Sequence, residues 1–187
     1  MSSIPIFLLE VGAVKTLEFG NAWRGAMYVW NYVATEYCGL PVFPPGFSEE
    51  GKADQMKVWN YGNNNPDMPE HEAIVLLSTM DHALLDPSQW ERLVEAYEKF
   101  GEEHPNSSFG EQAKALRDVM ESGEDMELLG IGWNQNTICP SKWVSYDDDG
   151  VMRVYDPARE NSHFWMMEQL DEARRSAAEV EAAGGGA

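Results

Sequence analysis

Ile74–Phe100 reads IVLLSTMDHALLDPSQWERLVEAYEKF, and its reading decides the fold. Ala73–Ser78 belongs to the most apolar short run of the chain and predicts a strand. Asp86 then stands as a helix N-cap, Pro87 at the first helical position, and Gln89 where a capping-box partner belongs. Trp90, Leu93, Val94, Tyr97 and Phe100 recur at helical spacing on one face. Glu91, Arg92, Glu95, Glu98 and Lys99 make the other, and Gly101 supplies a stop. A strand feeding a packed helix predicts the centre of an α+β core, with Asp81 and His82 in the joint between them.

Upstream, Ile4–Val11 predicts an opening strand, bounded by Pro5 and Gly12. Asn21 is an N-cap candidate for a helix over Ala22–Tyr37, which Cys38-Gly39 ends. Leu40–Pro69 carries five prolines and the run Asn63-Asn64-Asn65, and reads as a long loop pinned by Phe43, Phe47, Trp59 and Tyr61. Only Met56–Tyr61 there suggests a short strand or helical turn.

Downstream, Ser108 and Glu111 form a capping-box pattern for a third helix, stopped by Gly123. Leu128–Trp133 reads as a strand in which Gly130 and Gly132 mark a bulge or a close backbone approach. Asp147-Asp148-Asp149-Gly150 between two alternating segments predicts a hairpin. A last helix opens at Asn161 or Ser162, with Phe164, Met167, Leu170 and Ala173 inward. The expected architecture is a single compact α+β domain over residues 1–175. Its mixed or antiparallel sheet has about four to six strands packed against three or four helices. An Ala/Glu/Gly-rich frayed tail follows at 176–187.

The 187 residues suffice for a core without metals or disulfides. Cys38 and Cys139 fit neither a CxxC nor a metal-ligand spacing and read as two free thiols of a reducing compartment. The opening apolar run has no basic region before it and is broken at Glu10, so neither a signal peptide nor a membrane span is predicted. A cytoplasmic location is the expectation. The surface is unusual: 13 Lys+Arg face 32 Asp+Glu, a formal charge of −19. Residues 41–105 hold 4 basic against 13 acidic side chains, net −9, while residues 1–40 are nearly neutral at net −1. That sign disfavours nucleic acid and anionic membrane and suits a protein partner with a basic surface.

Motifs that carry chemistry are scarce. Asp81 beside His82 could serve as a general base with its orienting carboxylate, yet no Ser or Cys stands in a nucleophile-elbow pattern. His71, His82, His104 and His163 lie in no His-x-x-x-His or His-x-His spacing, so no metal is expected; His71 between Glu70 and Glu72 reads as a charged loop. Counting Asp147 as the first residue of a calcium loop places Ala158 where the closing Glu belongs. Neither GxGxxG nor a phosphate loop occurs, and no cofactor is expected.

Three functional readings follow. The first is a non-enzymatic acidic protein that docks on a basic, nucleic-acid-handling partner, with no direct nucleic-acid binding of its own. Its contact residues would be Glu91, Glu95, Glu98, Glu102 and Glu103 on one helix face, with Asp147, Asp148 and Asp149 in the hairpin turn. Phage and mobile-element inhibitors of host defence (anti-CRISPR or anti-restriction proteins) fit that composition, since spaced carboxylates present a field like that of phosphates. The second is an assembly subunit using the neutral N-terminal part. The third is an enzyme built on Asp81 and His82.

Overall fold

The computed structural model describes residues 2–9, 12–15, 19–20, 25–41, 48–79, 83–122, 127–135 and 145–184. Side chains are described from residue 25 on, except at 122, 133–135, 145, 181 and 184. In chain order the elements are β1 (Ser2–Leu9), β2 (Gly12–Lys15), β3 (Phe19–Gly20), α1 (Ala26–Glu36), α2 (Glu49–Asn64) and α3 (Glu70–Ser78). Then come β4 (Leu84–Leu85), a 3-10 turn at Pro87–Gln89, α4 (Trp90–Glu103), α5 (Phe109–Ser122) and β5 (Gly130–Gln135). A hairpin of β6 (Ser145–Tyr146) and β7 (Met152–Arg153) leads to α6 (Pro157–Glu160) and α7 (Met166–Gly184).

The expected sheet layer is overturned. The described residues are mostly helical, in seven α-helices, and no sheet of four to six strands packs against them as a layer. Backbone pairing does set β2, β1, β5 and β4 side by side, antiparallel throughout, with β3 also on β1. The helices do not pack on that ladder as a layer. Among the described side chains, the main buried cluster draws on α1 to α5 and α7, with Leu85 and Ile131 from strands.

Two corrections explain the error. Ala73–Ser78 is not a strand but part of α3, with residues 71–78 all buried. α1, α2 and α4 pack around it. A short apolar run looks the same in a buried strand and in a helix enclosed on every side. The signals favouring the helix are Pro69 just before it and Glu70 and Glu72 in its first turn, where the helix dipole stabilises negative charge.

The long loop expected over Leu40–Pro69 is likewise mostly a helix, α2. Ser48 caps it, its hydroxyl accepting from Gly51 N at 3.0 Å, and Glu49 and Glu50 occupy the first turn. The prolines lie before Ser48 and after Asn64, so they bound the helix and do not interrupt it. Two of the expected pinning aromatics pack as foreseen. Trp59 stacks on Trp30 with centroids 6.2 Å apart, and Tyr61 on Tyr37 at 5.3 Å. Phe43 and Phe47 lie outside the described residues.

The amphipathic helix stands. Asp86 accepts from Ser88 N at 2.9 Å and Pro87 opens the turn. The whole predicted face from Trp90 to Phe100 is buried. Each of those large apolar side chains contributes about 1.5–3 kcal/mol by leaving water. Gly101, expected as the stop, lies within α4, which continues to Glu103. α5 packs against this helix, Phe109 meeting Tyr97 and Phe100 edge-on at 4.9 and 5.2 Å.

Elsewhere, β1 covers most of the expected first strand, and α1 the expected first helix apart from its start. The caps or stops at Asn21 and Gly123 lie outside the described residues. β6 and β7 pair around the predicted turn, where Gly150 has φ 77°. Gly132 marks the close approach foreseen for it, since a Cβ there would meet Ala83 O at 2.0 Å. α7 buries Phe164 just before its start, then Met167 and Leu170, and remains helical past Ser176 to Gly184. Arg174 ties it to the loop before α3, its guanidinium donating to Met68 O at 2.6 Å. No described helix is long and apolar enough to cross a membrane.

Candidate functional site

The first turn of α3 and the last turn of α4 meet at a cluster of His71, Glu72 and Glu103. One ligating atom from each lies within 4.8 Å of the others. His71 Nε2 stands 2.5 Å from Glu103 Oε2. His71 and Glu72 are only 8% and 4% exposed, whereas the Glu103 side chain is 44% exposed and opens the cluster to solvent. α3 brings its charged first turn into the interior because the whole helix is enclosed. α4 adds Glu103 because it runs past Gly101 by two residues.

Two tyrosines of the α1 region hold the Glu72 carboxylate, one on each oxygen. Tyr32 OH donates to Oε1 at 3.1 Å and Tyr37 OH to Oε2 at 2.7 Å. Burial, then the adjoining Glu72, push the Tyr37 hydroxyl well above the ordinary tyrosine range; burial raises Tyr32 as well. Both phenols therefore stay neutral donors. The rings pack edge-on, and His104 packs against Tyr32 and Phe100 with centroids at 4.4 and 4.3 Å. This aromatic wall holds the tyrosine hydroxyls in place.

His71 also lines a groove of about 390 Å³ between α3 and α4, with Ile74 and Ala96 as buried neighbours. Glu70, Arg92, Glu95 and Lys99 stand around it. Arg92 is committed: it donates to Glu70 Oε1 at 2.8 Å and to Asp171 Oδ1 at 2.5 Å, bridging α3, α4 and α7. The same bond holds the Asp171 carboxyl below its ordinary range.

The candidate docking residues separate into groups. Arg117 of α5 takes both Glu91 at 2.9 Å and Glu98 at 3.0 Å, so those carboxylates face an internal cation. Glu103 belongs to the buried cluster. Glu95 and Glu102 are exposed and enter no ion pair among the described residues. Asp147 serves the hairpin turn, its Oδ1 accepting from Asp149 N at 3.1 Å and Val151 N at 2.8 Å, while Asp148 and Asp149 project from that turn. Asp81 and His82, the catalytic candidates, lie outside the described residues, as does Cys139; Cys38 is a buried free thiol.

The His71 cluster is not legible in the local sequence, because Glu103 is 32 residues away and the apolar run after His71 fits a strand as well as a helix. The acid-flanked histidine in Glu70-His71-Glu72 was the available signal. No family model, curated protein or solved structure matches the chain.

Proposed function

We propose that this is a non-enzymatic, strongly acidic binding protein of the cytoplasm that docks on the basic surface of a nucleic-acid-handling protein. The observation that carries this reading is where its few cations go. Of the ten Lys and Arg whose side chains are described, Lys52, Arg92, Arg117 and Arg153 sit in ion pairs with the protein's own carboxylates and Lys57 and Arg174 donate to its own carbonyls, leaving Lys99, Lys114, Arg159 and Arg175 exposed. With a net charge of −19, the surface left to a partner is dominated by carboxylates. Glu50, Glu95, Glu102, Asp148 and Asp149 are exposed examples. Such a surface attracts a groove built for phosphates and steers its approach. An inhibitor of host defence encoded by a phage or mobile element is the setting this composition fits.

The test starts with a pulldown from the native host at low salt, followed by titration of the purified complex. Affinity should fall steeply from about 50 to about 500 mM salt, since screening shortens the reach of surface charge. Duplex DNA should compete for the partner. A complex indifferent to salt, or one that DNA does not displace, overturns the proposal.

A further inference from the structure

Glu72 presents an unsolved charge balance. Its carboxylate is buried, yet among the described residues no Lys or Arg pairs with it. Its hydrogen-bond donors are two neutral phenols, which orient the carboxylate without neutralising it. A second carboxylate, Glu103, converges on the same point, with the His71 imidazole beside it. Buried charges are compensated by a counter-charge or coordinate a metal.

We infer that His71, Glu72 and Glu103 form a binding site for a first-row divalent cation, with Zn²⁺ the best fit. The donor set of one imidazole nitrogen and two carboxylate oxygens suits a borderline ion and is poor for Mg²⁺, which prefers oxygen ligands and retained water. Three protein ligands leave a fourth position open toward the solvent side at Glu103. The Tyr32 and Tyr37 hydroxyls fill the role of outer partners, fixing the carboxylate that ligates. On binding, the ion takes the place of the His71–Glu103 hydrogen bond, held by Nε2 and a carboxylate oxygen in its stead; nothing is oxidised or reduced. The inference stands on α3, α4 and the two tyrosines of the α1 region, and is independent of the docking proposal.

The experiment is isothermal titration of the metal-stripped full chain with Zn²⁺, with Mg²⁺ as the counter-probe, alongside melting curves. One Zn²⁺ per chain and a raised melting temperature are expected, with Mg²⁺ at least tenfold weaker. Glu103→Gln keeps the shape of a half-exposed residue, avoids the risk of misfolding and removes one ligand charge. It should weaken Zn²⁺ binding by about tenfold or more, while Asp118→Asn on α5, an equal loss of charge, should not. Tyr37→Phe should weaken it less, by loosening Glu72. Absence of stoichiometric Zn²⁺ binding, or binding equally affected by Asp118→Asn, overturns the site and marks His71–Glu103 as a structural hydrogen bond.

Discussion

Gly101 gives the sharpest test of how α4 and α5 are held together. A Cβ built there would lie 2.4 Å from Gly110 N and 2.6 Å from Gly110 Cα. Those are backbone atoms, so no side-chain rotation relieves the clash and the helices must separate. Gly101→Ala gains up to about 1 kcal/mol of helix propensity. Against that stands an overpacking cost at the top of the usual range, about 3 kcal/mol, because buried Phe109 moves with the strained backbone. The net loss is about 2 kcal/mol, a melting temperature lower by roughly 4–8 °C in a chain of this size. The partner glycine supplies the control. A Cβ at Gly110 would find its nearest neighbour, Gly101 Cα, at 3.9 Å, an ordinary contact. Gly110 has no positive φ, so Gly110→Ala should stabilise by about 0.4–1 kcal/mol through the unfolded chain. Differential scanning calorimetry of both variants decides. If Gly101→Ala melts at or above the wild type, or the two variants shift in the same direction, the close approach of α4 and α5 is wrong.

Asp86→Ala removes the side-chain acceptor for Ser88 N and should cost about 1 kcal/mol, read from urea denaturation at an unchanged slope. Leu76→Ala, within the enclosed helix α3, should cost about 2–5 kcal/mol; a cost below about 1 kcal/mol would contradict its complete burial. The Arg92–Asp171 pair has a signed pH dependence. A carboxyl depressed in the folded state adds stability above its unfolded value near 4, and that stability is lost as pH falls through the lower folded value. Asp171→Asn should therefore lower the melting temperature slightly at neutral pH and converge on the wild type in acid. The effect stays below about 1 kcal/mol, because the Asp171 side chain is 51% exposed.

Local chemistry carried the sequence reading where one short segment sets its own geometry. The Asp86-Pro87 start, the buried face from Trp90 to Phe100, the Asp-rich hairpin turn and the inward side chains of α7 follow from neighbours along the chain. It misled where two structures satisfy the same pattern. The run of five apolar residues Ala73–Leu77 fits a strand or an enclosed helix, and a glycine after an apolar stripe fits a stop or a helix contact. In the first case α1, α2 and α4 enclosing α3 decided; in the second, the backbone of Gly110 did.

The surplus of carboxylates is a property of the sequence alone, since no fold changes a net charge of −19. Which carboxylates remain outward is not. Arg117 lies 26 residues from Glu91 and 19 from Glu98, so only the packing of α5 on α4 pairs those two with a cation of the same chain. His71, Glu72 and Glu103 converge for the same reason: α3 and α4 pack with its first turn against the other's last. Sequence set the chemistry available at each position. The packing of the helices chose which groups share a site, because distances across the fold depend on contacts that no local pattern encodes.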